Sequence, residues 1–97
     1  MPRDTLRKSV SVRIEGRVQG VWYRGWTVDQ ATSLGLSGWV RNWSDGSVEA
    51  VFSGEAAKVD QMLQRCWDGP PMAQVSAVSY QSCEPPEPGF RQRYSLP

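Results

Sequence analysis

The chain has 97 residues, 11 Lys and Arg against 10 Asp and Glu for a formal charge of +1, and no histidine. That length fits a single domain with one core, and the near-neutral total offers no bulk field to recruit nucleic acid or an anionic membrane. The missing histidine removes Ser-His and Cys-His nucleophile pairs and most catalytic zinc sites.

In chain order, residues 1–8 are polar and without periodicity, which predicts a loose N-terminal tail. Val10, Val12 and Ile14 alternate with Ser11, Arg13 and Glu15, the period of a strand with one buried face, ending at Gly16. After a glycine-containing turn, the spacing of Tyr23, Trp26 or Thr27, Ala31 and Leu34 predicts a helix that stops at Gly35. Trp39, Val40 and Arg41 begin a second strand. The turn Ser44-Asp45-Gly46 leads into a third strand with Val48, Ala50 and Phe52. Ala56, Val59, Met62 or Leu63 and Cys66 share one face of a second helix, closed by Gly69-Pro70-Pro71. Val75 and Ala77, with Ser79 as the next step of the alternation, predict a fourth strand, and Phe90 to Tyr94 a short fifth after a proline-rich loop.

The order is β-α-β-β-α-β with an extra C-terminal strand. It predicts a ferredoxin-like α+β sandwich, two helices on one face of an antiparallel sheet, as one domain over residues 1–97. That fold hosts enzymes, RNA-binding modules and metal chaperones, so function has to be read from a site. Cys66 and Cys83 lack CxxC spacing, and no apolar stretch resembles a signal h-region or a membrane span. The expectation is a cytoplasmic protein with reduced thiols, Cys66 buried and Cys83 in a loop.

Gly16-Arg17-Val18-Gln19-Gly20-Val21-Trp22-Tyr23-Arg24 places a tight turn between a strand end and a helix start. Backbone N–H groups in such a turn can converge on an anion, with the positive end of the helix behind them. Arg24, in the first helical turn, offers a planar fork that matches phosphate oxygens. Spacing alone leaves open the plain alternative, a strand-to-helix turn that binds nothing. Asn42 on spacing alone is a residue opening the hairpin turn.

The same stretch resembles the signature Gly-x-Val-Gln-Gly-Val-x-Phe-Arg of the acylphosphatase family, with Tyr23 in the Phe place. A second family signature, Gly-Trp-Val-x-Asn-x-x-Asp-Gly-x-Val-Glu, is matched by Gly38 to Glu49. Leu34-Gly35-Leu36, Gly69-Pro70 and Arg93-Tyr94 extend the resemblance to about Val10–Tyr94. Tyr23 departs by a hydroxyl that needs a partner, and Gln92 departs where an apolar residue is expected, leaving the last strand's inward face open. The resemblance implies hydrolysis of the carboxyl–phosphate bond of small acylphosphates without metal or cofactor, inorganic phosphate being product and competitive ligand. It implies Arg24 as phosphate ligand, Asn42 as positioner of the attacking water, and the backbone of Arg17, Val18, Gln19, Gly20 and Val21 as phosphate cradle.

The remaining expectations are a monomer that binds neither nucleic acid nor membrane. A non-catalytic phosphate-binding module on the same fold is the alternative, and a single-stranded RNA binder a weaker one, disfavoured by the charge. Of the five tryptophans, Trp22, Trp26, Trp39, Trp43 and Trp67, core and helix-sheet packing is the expected use, with Trp43 a candidate for the edge of the site. Arg13, Arg17 and Arg41 are expected as solvent-facing strand or loop charges, Arg17 and Arg41 flanking the site with a supporting role in its positive potential at most. Asp45 and Glu49 are expected as turn and surface residues without a catalytic role.

Overall fold

Residues 6–95 are described by a computed structural model. The alternation around Val10 to Ile14 forms β1 (Arg7–Arg17), with Val10, Val12 and Ile14 buried. It is followed by α1 (Tyr23–Ser33), β2 (Ser37–Asn42), β3 (Val48–Glu55), α2 (Ala56–Asp68), β4 (Gln74–Ser82) and β5 (Phe90–Gln92). The sheet order is β4-β1-β3-β2-β5. Contacts between neighbours are antiparallel except β2 with β5, which is parallel. The short fifth strand therefore makes an otherwise antiparallel sheet mixed. Its Phe90 stacks on Phe52 with ring centroids 5.6 Å apart, while Gln92 stays exposed beside Val40.

Each strand directs one set of side chains toward the helices. Val12, Ile14, Val40, Val48, Ala50 and Phe52 meet Val59, Met62 and Cys66 of α2 and Tyr23 and Ala31 of α1 in one contiguous core. Burying these side chains contributes roughly 1.5–3 kcal/mol for each large one. Among the described residues no helix is long and apolar enough to cross a membrane.

Two sequence expectations change in detail. The predicted tail is too long, because Arg7 and Lys8 pair with Glu55 and Gly54 in the β1–β3 ladder. The N–H of Ala56 also donates to the carbonyl of Leu6 at 2.8 Å. Polar side chains do not prevent a strand when its backbone has a partner; residues 1–5 lie outside those described. The second change is in β4. Glu15 pairs with Ala77 and Gly16 with Val75, so Ser76 is an extra residue and the register shifts. The shift brings Val78, opposite Ile14, to the core side and carries Ser79 to the other face, breaking the simple alternation.

Gly16 is what lets β4 come so close at that bulge. Its φ is +123°, and a Cβ built there would stand 2.2 Å from the carbonyl oxygen of Gln74. Any side chain would push the strands apart where β1 ends and the loop toward α1 begins.

Candidate active site

The segment from Arg17 to Trp22 connects the end of β1 to α1. Val18 and Val21 are buried and anchor the loop to the core, while Arg17 and Gly20 are exposed. Gly20 has φ +74°, and Trp22 has φ 69° and ψ 26°, the only left-handed non-glycine residue among those described. Positive φ at Gly20 and Trp22 thus alternates with ordinary φ at Gln19 and Val21. Alternation of handedness turns successive N–H groups toward one side and makes a concavity suited to an anion. The left-handed conformation costs Trp22 about 1–2 kcal/mol, which the anchored loop must hold.

The helix behind the loop has the matching polarity. No side chain caps the N terminus of α1 and no acidic residue lies in its first turn. The first intrahelical bond runs from the N–H of Trp26 to the carbonyl of Trp22 at 3.0 Å. The N–H groups of the turn before it therefore have no intrahelical acceptor. Arg24 belongs to this turn and is half-buried. Its guanidinium forms no hydrogen bond or ion pair with another described residue and lines a cleft of about 630 Å³ with Gln92, Arg93, Tyr94 and Ser95.

Asn42 closes β2 opposite Val48, on the helix side of the sheet. Its Oδ1 is the one buried side-chain polar atom among the described residues without a hydrogen-bond partner. Buried amide oxygens are almost always satisfied, so this orphan is free to accept from a group that is not protein. The cradle and this hairpin are joined by Gln19, whose Nε2 donates to the carbonyls of Trp43 at 2.7 Å and Ser47 at 2.8 Å. Gln19 was expected only for its backbone. Nothing in the spacing of the sequence reveals where its side chain reaches.

The hairpin is held from the open face of the sheet as well. Glu49 Oε1 accepts from Arg41 Nε at 2.9 Å and from Trp43 Nε1 at 2.6 Å. Arg41 lies over Trp39 at 4.5 Å and over Trp43 at 5.6 Å, and Arg13 over Trp43 at 5.8 Å. Arg41 is therefore the plain strand charge expected first, paired on the open face of the sheet rather than lending its charge to the loop, and the Trp43 ring lies on that face with it. Asp45 is a turn residue as expected. Its carboxyl is held below its ordinary pKa because the Ser47 hydroxyl at 2.6 Å and backbone N–H at 2.9 Å donate to it, with Arg13 adding a smaller effect.

Among the tryptophans only Trp26 packs against the core; Trp22 and Trp67 are 63% and 50% exposed, and Trp39 and Trp43 stack with arginines. The expectation of core use fails for four of the five because aliphatic residues, Tyr23 and Phe52 already fill the space between sheet and helices. The Tyr23 hydroxyl does find a partner, donating to the carbonyl of Cys66 at 2.6 Å. Burial pushes that phenol up in pKa and holds the Cys66 thiol up at about 12, so neither ionises at working pH. Cys66 and Cys83 are free thiols.

Comparison with known proteins agrees with this geometry. The family model described as acylphosphatase matches residues 10–92. An acylphosphatase from Rhodospirillum rubrum is 54% identical over 90 residues, 92% of this chain and 99% of the relative. The solved acylphosphatase of Coxiella burnetii superposes with a TM-score of 0.86 at 36% identity, covering 90% of this chain and 93% of that one. The acylphosphatase of Bacillus subtilis superposes with a TM-score of 0.79 at 27% identity, over 94% and 98% of the two chains.

Proposed function

The chain belongs to the acylphosphatase family, and from that premise we propose how it works as an acylphosphatase. The substrate is a small acylphosphate whose carboxyl–phosphate bond is hydrolysed. Its phosphoryl group sits against the backbone N–H groups of residues 17–21 and the start of α1, with the Arg24 guanidinium closing over its oxygens. Asn42 holds the attacking water. The observation that carries this reading is the buried, unpartnered Oδ1 of Asn42, on a hairpin tied to the cradle through Gln19.

The chemistry suits these groups. A phosphoryl transfer with a loose transition state asks mainly for positioning and charge stabilisation. Water oxygen bonds to phosphorus as the bond from phosphorus to the acyl oxygen breaks, and the acyl group leaves as a carboxylate, stable without a proton. Asn42 can accept a hydrogen bond from the water but cannot remove its proton. That proton passes to a phosphate oxygen of the substrate, and inorganic phosphate is released. No side chain has to change its protonation state, consistent with a chain that has no histidine. In this reading the enzyme is a cytoplasmic monomer, and inorganic phosphate, the product, competes for the cradle.

The test is phosphate release from benzoyl or acetyl phosphate in the presence of EDTA. Arg24→Lys keeps the charge but loses the fork, and is expected to raise both KM and the inhibition constant of phosphate and to lower kcat. Asn42→Ala is expected to lower kcat about a hundredfold while phosphate still inhibits competitively. Release no faster than the uncatalysed reaction in the wild type would leave the phosphate-binding module as the better account, and unchanged kinetics in either variant would remove that residue from its role.

A further inference from the structure

We propose that the Gln19 side chain is a positioning residue for hydrolysis, setting the distance between the phosphate cradle and the water held by Asn42; this rests on the site assignment above. Gln19 lies inside the cradle segment, yet its amide leaves the loop. The two bonds from Nε2, to Trp43 O and Ser47 O, span 24 and 28 residues of sequence and use both amide hydrogens. The acceptors stand at the neck of the β2–β3 hairpin, where the N–H of Trp43 also donates to Ser47 O at 3.0 Å. Trp43 follows Asn42 directly, so a hold on its carbonyl is a hold on the peptide unit next to the water-positioning residue.

The other side of the neck is fixed independently. Glu49 grips Arg41 and Trp43, the two neighbours of Asn42, from the open face of the sheet. Asp45 grips Ser47 inside the turn. The hairpin is thus internally stiff, and no other side-chain hydrogen bond among the described residues joins it to the cradle. Freed of Gln19, the cradle keeps its glycine, its buried valines and Arg24, and still binds phosphate. What it loses is register with Asn42, and a reaction that depends on the placement of water against phosphorus is sensitive to shifts well under the size of an atom.

The experiment is a double-mutant cycle in kcat with benzoyl phosphate, using Gln19→Met, Asn42→Ala and the pair, with the inhibition constant of inorganic phosphate measured for each. Gln19→Met keeps the length and loses both donors. It is expected to lower kcat about ten- to a hundredfold and to leave phosphate inhibition within about threefold of wild type. In the Asn42→Ala background the same change is expected to alter kcat little, since its effect acts through Asn42. Equal losses in both backgrounds, wild-type kcat in Gln19→Met, or loss of phosphate binding with kcat would overturn the proposal while leaving the site assignment in place. Unchanged kcat in Asn42→Ala would overturn the assignment and this inference with it.

Gln19→Glu supplies a second readout should the methionine variant not fold. A carboxylate there faces two carbonyl oxygens, whereas the protonated acid regains one donor. The ratio of its kcat to wild type is expected to rise as pH falls through the carboxyl's titration; a ratio independent of pH rejects the proposal.

Discussion

Tyr23 shows how one atom settles a local structure. In α2 the last carbonyls have no intrahelical N–H to meet them. Gly69 N–H serves Arg65 O at 3.0 Å, and the Tyr23 hydroxyl, from the other helix, serves Cys66 O at 2.6 Å. A phenylalanine would fill the same space, its ring still 5.3 Å between centroids from Trp26, but would leave the Cys66 carbonyl buried and unmet. Tyr23→Phe is therefore expected to destabilise the fold by about 1–2 kcal/mol. A lower denaturation midpoint at unchanged slope is the outcome to look for; equal or higher stability would show that water replaces the phenol at that carbonyl.

At the scale of elements, what was legible in the sequence depended on whether a side chain's effect was local. β1 and α2 were readable because burial follows a fixed period, and the loop after Gly16 because two glycines and a helix start have a conformational meaning of their own. The shift at Ser76 was not, since a bulge depends on the opposing strand, and the reach of Gln19 was not, since its acceptors are supplied by another hairpin. The hairpin turn, by contrast, announces itself in Asp45, and its stability has a definite pH dependence. The folded Asp45 carboxyl is depressed below its ordinary value of 3.8, chiefly by the Ser47 hydroxyl and N–H and then by Arg13. The unfolded chain therefore takes up the proton first as pH falls. The contribution is present above that ordinary value and is lost as pH drops through the folded one. Wild type is expected to exceed Asp45→Asn in urea midpoint at neutral pH, the gap narrowing by about pH 3. A gap that widens in acid would mean that the carboxylate is not what holds the turn.

For the whole molecule, the sheet's helix side carries a dry core with the proposed site at one of its ends, and the core depends on the two helices staying seated. The composition already indicated that no histidine would titrate near neutrality, and helical spacing put Tyr23 and Cys66 on inward faces, but that the two meet could be known only once α1 and α2 were packed. They meet at Tyr23 and Cys66, and burial raises both groups, the thiol to about 12. In the unfolded chain the thiol ionises near its ordinary 9.0 and the phenol near 10.0. Above those values the unfolded state releases protons that the folded state keeps. Stability is therefore intact below about pH 9 and falls as pH rises toward the folded values, by up to roughly 1.4 kcal/mol per pH unit for each group. Urea midpoints taken between neutral pH and about pH 11 should decline from the thiols' ordinary range upward; the Cys83 thiol, also raised by burial, shares that onset, so Cys66→Ala should decline less steeply than wild type, whatever its absolute stability. Equal slopes in the two proteins would place the alkaline weak point elsewhere than at the junction of the two helices.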